Sequence, residues 1–138
     1  MKNYKIILFA IVALLATSCS SSNKAVDPLI NDIWILEFIK GVDFNPKTQT
    51  DNRPTIEIHL KDNKVVGNTG CNNMNGTVTI DEDQITFSDI VTTKKFCVES
   101  IEQEFLIALG MVNNYKVEKM KLHLFQDDDE IMIFQKVD

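Results

Sequence analysis

Apolar and polar residues alternate in short runs along most of this chain, and the period changes once. Thr55-Ile56-Glu57-Ile58-His59-Leu60 alternates without a break, placing Ile56, Ile58 and Leu60 on one face as in a half-buried strand. Lys61 to Lys64 supplies a hairpin turn, and Val65-Val66-Gly67-Asn68 begins the return. Upstream, Ile33 to Ile39 is dense in β-branched and aromatic residues and reads as a strand. The polar stretch Gly41 to Pro54, with Asn45-Pro46 and Arg53-Pro54, reads as a long loop. Thr77 to Ile80 and Gln84 to Phe87 alternate on either side of a turn at Asp81-Glu82-Asp83. Tyr115 to Glu118, Lys121 to Gln126 and Glu130 to Val137 add three strands, the last two joined across Asp127-Asp128-Asp129.

The change of period comes at Val98, Ile101, Phe105, Ala108, Leu109 and Val112, which fall on one helical stripe. Glu99, Glu102, Gln103 and Glu104 face away from it, and acidic residues in the first turns complement the helix dipole. Eight or nine short strands and one amphipathic helix predict a mainly β fold. Closure into an antiparallel barrel removes exposed sheet edges, and the helix buries its stripe most simply across one open end. Tyr115, Phe125, Met132 and Phe134 are expected in the core of the closing strands.

The first residues do not belong to that pattern. A basic start, an apolar run from Ile6 to Ala16 and the sequence Leu15-Ala16-Thr17-Ser18-Cys19 resemble a bacterial lipoprotein signal. The run is too short to span a bilayer, which takes roughly 20 apolar residues. Cleavage before Cys19 and lipidation of that cysteine are the expectation. The chain then divides into a leader at 1–18, a lipidated cysteine with a flexible tether at 19–32, and one domain at 33–138.

Without the leader 120 of the 138 residues remain, enough for one domain. Lys2 and Lys5 leave with it, so the formal charge moves from −6 to about −8. That balance argues against nucleic acid as a partner and against lying flat on anionic lipid. Contact with a membrane is expected through the N-terminal lipid alone, an envelope protein is the expected partner, and the domain is expected to be a monomer. With Cys19 lipidated, Cys71 and Cys97 form an even pair in an exported chain, which reads first as a disulfide. Closing the loop between them would stabilise the fold by about 3–4 kcal/mol on chain-entropy grounds.

One segment is required by neither propensity nor turn rules: Gly67-Asn68-Thr69-Gly70-Cys71-Asn72-Asn73-Met74-Asn75-Gly76. Its glycines make positive φ available at each position, and its asparagines can bond to neighbouring backbone and hold a bend. Thr93 and Cys97 follow downstream, just before the helix.

These elements in their order resemble the META domain family, also called HslJ-like after a heat-inducible bacterial outer-membrane lipoprotein. The matching residues begin with Trp34 and Leu36, then Pro54 and Ile56. Gly67, Gly70-Cys71-Asn72 and Gly76 follow, then Thr93 four places before Cys97. The helix with Glu104, Phe105, Ala108 and Leu109 and the closing strands complete the set. The resemblance spans residues 33–136. It implies a small lipocalin-like barrel with one helix, and it implies that Cys71 and Cys97 meet. Lys95-Phe96 stands where the family usually has Met-Ala, which bears on local packing. The family is linked to stress response and to secretion and tolerance phenotypes, none of them a reaction. An envelope lipoprotein serving as a structural or interaction module under stress is the resulting expectation, on the outer membrane and facing the periplasm.

No reactive constellation competes with that reading. His59 and His123 sit in alternating strands with no ligand-spaced carboxylates, so no metal is expected. Asp127 to Glu130 lacks the glycine and ligand spacing of a calcium loop. Ser88 and Ser100 have neither a histidine nor a glycine elbow beside them. Neither a cofactor nor catalysis is expected. Two other functions fit the outline: a barrel holding a small hydrophobic ligand, and an inhibitor of lysozyme. The candidate interaction surface is Gly67, Gly70, Asn72, Asn73, Asn75, Gly76 and Thr93, because polar loops on rigid scaffolds often bind.

Overall fold

The computed structural model describes residues 25–49 and 52–137. Cys19 and the leader lie outside them. Eight strands run in chain order: β1 (Ile33–Ile39), β2 (Thr55–His59), β3 (Lys64–Asn68), β4 (Asn73–Asp81), β5 (Gln84–Thr92), β6 (Asn114–Glu118), β7 (Lys121–Gln126) and β8 (Asp129–Lys136). Each pairs antiparallel with the next, and β8 returns to β1 from Trp34↔Lys136 to Ile39↔Met132, closing a barrel. The mainly β expectation holds, with eight strands.

Alternation decides the inside. In β2 the inward Ile56 and Ile58 are buried while Thr55, Glu57 and His59 are partly exposed. Trp34, Leu36, Val65, Ile85, Leu122, Leu124, Met132 and Phe134 fill the interior with no accessible surface. Of the aromatics expected there, Tyr115 is also buried, while Phe125 is only partly covered. At β1 the register shifts between Leu36 and Phe38. Arg53 answers the displaced carbonyl, donating to Leu36 O from Nε at 3.0 Å and from the guanidinium NH2 at 2.7 Å.

The hairpins use backbone that few side chains favour. Lys119 and Met120 both have positive φ, at 50° and 64°. Two positive φ values in a two-residue loop match the right-handed twist of the strands they join, here β6 and β7.

The barrel is thin at one seam. β5 and β6 share the pair Gln84↔Asn114, with Ile85 N–H donating to Asn113 O and Tyr115 N–H to Asp83 O. Above that point α1 (Glu102–Met111) packs against β5. Its Phe105 and Leu109 are buried, and Phe105 meets Phe134 edge-on with ring centres 6.3 Å apart. The helix is shorter than its apolar stripe predicted. Val98 is exposed and Glu99 takes φ 57°, so the chain enters the helix only after Ile101. The disulfide loop holds Val98 outside the helical spiral.

The opposite end is covered by the segment before β1. Pro28–Ile30 forms a 3-10 turn, Ile30 is fully buried, and Trp34 Nε1 donates to Ile30 O at 3.0 Å. Asn31 Oδ1 accepts from Leu60 N–H, and Tyr115 OH from Asp27 N–H. The folded domain thus begins earlier than the boundary expected at Ile33.

Candidate functional site

The glycine- and asparagine-rich segment forms the bend from β3 into β4, at the barrel end away from the β4–β5 turn. Its three glycines serve two different needs. Gly70 alone of the three has positive φ, at 89°. Gly67 and Gly76 are instead sites of close approach. A Cβ on Gly67 would stand 2.0 Å from Thr55 O, and one on Gly76 would stand 2.5 Å from Ile90 Cδ1. Positive φ at each glycine, as the sequence invited, is not what the backbone adopts.

Cys71 and Cys97 form a disulfide with Cα atoms 5.9 Å apart. The bond brings the bend against the chain that leads into α1. Asn72 lies between them, buried, with its amide fully engaged. Its Oδ1 accepts from Thr93 Oγ1 and from Lys95 N–H, both at 2.7 Å. Its Nδ2 donates to Lys95 O at 3.2 Å and to Glu102 Oε2 at 2.8 Å. An amide has two acceptor sites and two donors, and here all four are used. Glu102 therefore turns toward the bend, against the expectation that it faces away. The helix start lies beside the disulfide, within reach of the Asn72 amide.

The remaining polar groups close the same corner. Thr69 is fully buried; its Oγ1 donates to Asn72 O and accepts from Asn72 N–H. Asn68 Oδ1 accepts from Gly70 N–H at 2.7 Å, and Asn68 Nδ2 donates to Asn73 Oδ1. Thr93 Oγ1 also accepts from Asn73 N–H. Asn73 and Asn75 are exposed on β4. The structure thus unites Gly70, Asn72, Asn73 and Thr93 with the disulfide, while Gly67 and Gly76 lie further along β3 and β4, beside Thr55 and Ile90, and Asn75 faces out from β4. The sequence missed the backbone of Lys95 and the carboxylate of Glu102. The only signal for either was the cysteine pairing, which places residue 72 near residue 97.

Two clefts flank the corner. One of about 230 Å³ is lined by Phe44, Gln49, Asn52, Val98 and Glu99, and a shallower one of about 560 Å³ runs past Lys94, Lys95, Phe96 and Leu106. The histidines lie elsewhere, each beside a carboxylate on its own strand or its neighbour. His59 Nε2 is 3.1 Å from Glu57 Oε1, and His123 Nδ1 is 2.6 Å from Glu130 Oε1. Among the described residues no three His, Cys, Asp or Glu side chains converge to hold a metal.

Three described groups titrate away from their usual range: Asp32, Tyr115 and Glu118, the last lowered by its hydrogen bond to the Lys116 ammonium. The Lys136 ammonium, 2.6 Å from Asp32 Oδ2, lowers the Asp32 carboxyl pKa. Burial raises that of the Tyr115 phenol.

An eight-stranded antiparallel barrel with a disulfide-locked corner at the foot of α1, the one α-helix among the described residues, defines a class of small β domain. The META domain profile matches residues 27–138, and the chain belongs to that family. A solved protein from Burkholderia xenovorans shares the fold, with TM-score 0.64 and 19% identity over 85% of this chain and 96% of that one. A DUF4847 family protein from Bacteroides vulgatus superposes with TM-score 0.58 and 17% identity over 79% and 96% of the two chains. No curated protein matches the chain.

Proposed function

We propose that this chain is a non-enzymatic lipoprotein of the cell envelope, whose barrel presents an outer surface to a protein partner. The observation that carries the reading is the saturation of Asn72. The most distinctive polar side chain of the motif spends every donor and acceptor on Thr93, Lys95 and Glu102. A group so committed holds structure and has nothing left to offer a substrate. Trp34, Phe105 and Phe134 fill the interior, which counts against a barrel that carries a small hydrophobic ligand. Anchoring rests on the Cys19 signal, the outer-membrane, periplasm-facing setting on Ser20-Ser21-Ser22 carrying no acidic retention or export signal, and the role under envelope stress on family resemblance.

The test joins both parts. Full-length protein is expressed with labelled palmitate, membranes are separated, and proximity cross-linking is carried out on the intact envelope. Label on the protein and sedimentation with the outer membrane are expected, with both lost in Cys19→Ser. Cross-links to protein are expected to depend on outward side chains such as Phe96 and not on Asn72 beyond its effect on folding. Unlabelled, unanchored protein would overturn the lipoprotein reading. Turnover that vanishes in Glu102→Gln would overturn the non-enzymatic one.

A further inference from the structure

We propose that the Cys71–Cys97 bond is a redox switch: a dithiol opens it within the folded barrel, and the chain from Val98 to Ser100 then winds onto the start of α1. The switch stands whether or not the barrel has a protein partner. Access to the sulfurs, the conformation the bond imposes and the groups that receive the freed thiol all support it.

Both cysteines are half-buried, and both line the shallow cleft that runs past Lys94, Lys95 and Phe96. Exposed disulfides are the ones that exchange readily with dithiols. An anionic thiolate is drawn to this cleft and away from the one on the other side of Cys97, which Glu99 lines. Glu102 also lines the shallow cleft, but its carboxylate is taken up by Asn72 Nδ2 at 2.8 Å.

The bond keeps the chain out of a helix that its side chains favour. Val98 continues the stripe of Ile101 and Phe105, yet it is 77% exposed, and Glu99 takes φ 57°, a region uncommon for any residue but glycine. The spiral now starts at Ile101, whose carbonyl accepts from Phe105 N–H at 2.9 Å. One more turn brings Val98 onto the stripe and sets Glu99 at the positive end of the helix dipole. It also gives the Glu102, Gln103 and Glu104 N–H groups the helical acceptors that a first turn lacks. Asn72 grips Lys95 on one side and Glu102 on the other, so the corner holds while residues 96–101 rearrange.

Opening takes two exchanges. A thiolate of the dithiol attacks Cys97 Sγ, the S–S bond breaks, and its electron pair leaves on Cys71 Sγ. Asn72 Nδ2, 3.5 Å from that sulfur, donates to the new thiolate. The second thiolate then attacks the sulfur of the first and releases Cys97. The dithiol ends as a disulfide, having given up two electrons, and its two protons end on Cys71 and Cys97. The Cys71 thiol has Lys95 O 3.6 Å away as its acceptor.

The full-length chain in detergent is treated with dithiothreitol without denaturant, and free thiols are counted by mass after alkylation. Reduction should be first order in dithiol and indifferent to urea below the unfolding range. Lys94→Glu with Lys95→Glu should slow it by about threefold or more. In the reduced protein, amide exchange read by NMR should slow by about tenfold or more at residues 102–104, with the strands unchanged, and reoxidation should reverse it. Glu99→Gly removes the penalty of positive φ and weakens the helix, so it should lose most of that slowing while being reduced as fast. A rate that saturates with dithiol and climbs with urea would show a bond that opens only on unfolding, which overturns the proposal. So would a rate indifferent to the two lysines, exchange at 102–104 that quickens or stays the same, or an undiminished slowing in Glu99→Gly.

Discussion

Replacing Asn72 with alanine removes its hydrogen bonds to Thr93, Lys95 and Glu102 and its weaker one to Cys71 Sγ at once, and the geometry says which matter most. Thr93 Oγ1 can rotate to another acceptor, and the Glu102 carboxylate can turn toward water. The Lys95 N–H and C=O, in contrast, are backbone groups pinned beside the disulfide, and both lose their partner. A fully buried polar group left unsatisfied costs about 1–3 kcal/mol; these two are only partly buried on an exposed residue, so a combined loss of about 2 kcal/mol is expected. That is a large part of a domain stability of about 5–15 kcal/mol. In urea under oxidising conditions the midpoint should fall by roughly 1–2 M with the slope unchanged. Asn72→Asp sharpens the test. It keeps the acceptor for Lys95 N–H but sets a carboxylate oxygen against Lys95 O and against Glu102 Oε2, where the amide bond was 2.8 Å. Its penalty should shrink as pH falls and a carboxyl of the pair takes up a proton. A loss below about 1 kcal/mol for Asn72→Ala, which is the scale of an ordinary exposed hydrogen bond, would refute the view that this side chain holds the corner.

Joint replacement of Cys71 and Cys97 by alanine should cost about 3–4 kcal/mol in the same assay, from the loop the bond closes. Because Lys95 lies in that loop, the cost should combine non-additively with Asn72→Ala, and strict additivity would show that the two are independent. Gly67→Ala forces a methyl against Thr55 O, only 2.0 Å away, and should destabilise by at least about 1–3 kcal/mol or prevent folding. Asp32 is held below its usual range by Lys136, so its contribution is present at neutral pH and is lost as pH falls through its lowered value. Acid unfolding of Asp32→Asn followed by circular dichroism should therefore show a shallower loss below about pH 4 than the parent chain. Gly110→Ala, where a Cβ would meet nothing within 4 Å, should raise urea stability by about 0.5–1 kcal/mol.

The strands were legible because each has one face in oil and one in water, and a period of two records that directly. Ile33–Ile39 and Lys121–Gln126 have the ends that their side chains announce. Membership of the META family was legible too, from an ordered set of short motifs. The helix was less so. Val98 continues the apolar stripe but is held out by the Cys71–Cys97 bond, and local periodicity carries no trace of a crosslink made across the fold. The corner was legible as a place and not as a mechanism. Three glycines and several asparagines marked it, yet which glycine needs positive φ and which needs an absent side chain depends on what stands opposite.

By itself, then, the sequence determined the alternation that makes the strands, the turns that divide them and the pairing of Cys71 with Cys97. Tertiary structure alone decided the register at which β8 closes on β1, that Asp27–Asn31 covers one end, and that Glu102 turns inward to Asn72. The division has a physical reason. Burial of a strand face is a property of neighbouring residues, whereas the fate of a polar side chain is settled by groups 20 or more residues away that only the closed barrel brings within 3 Å.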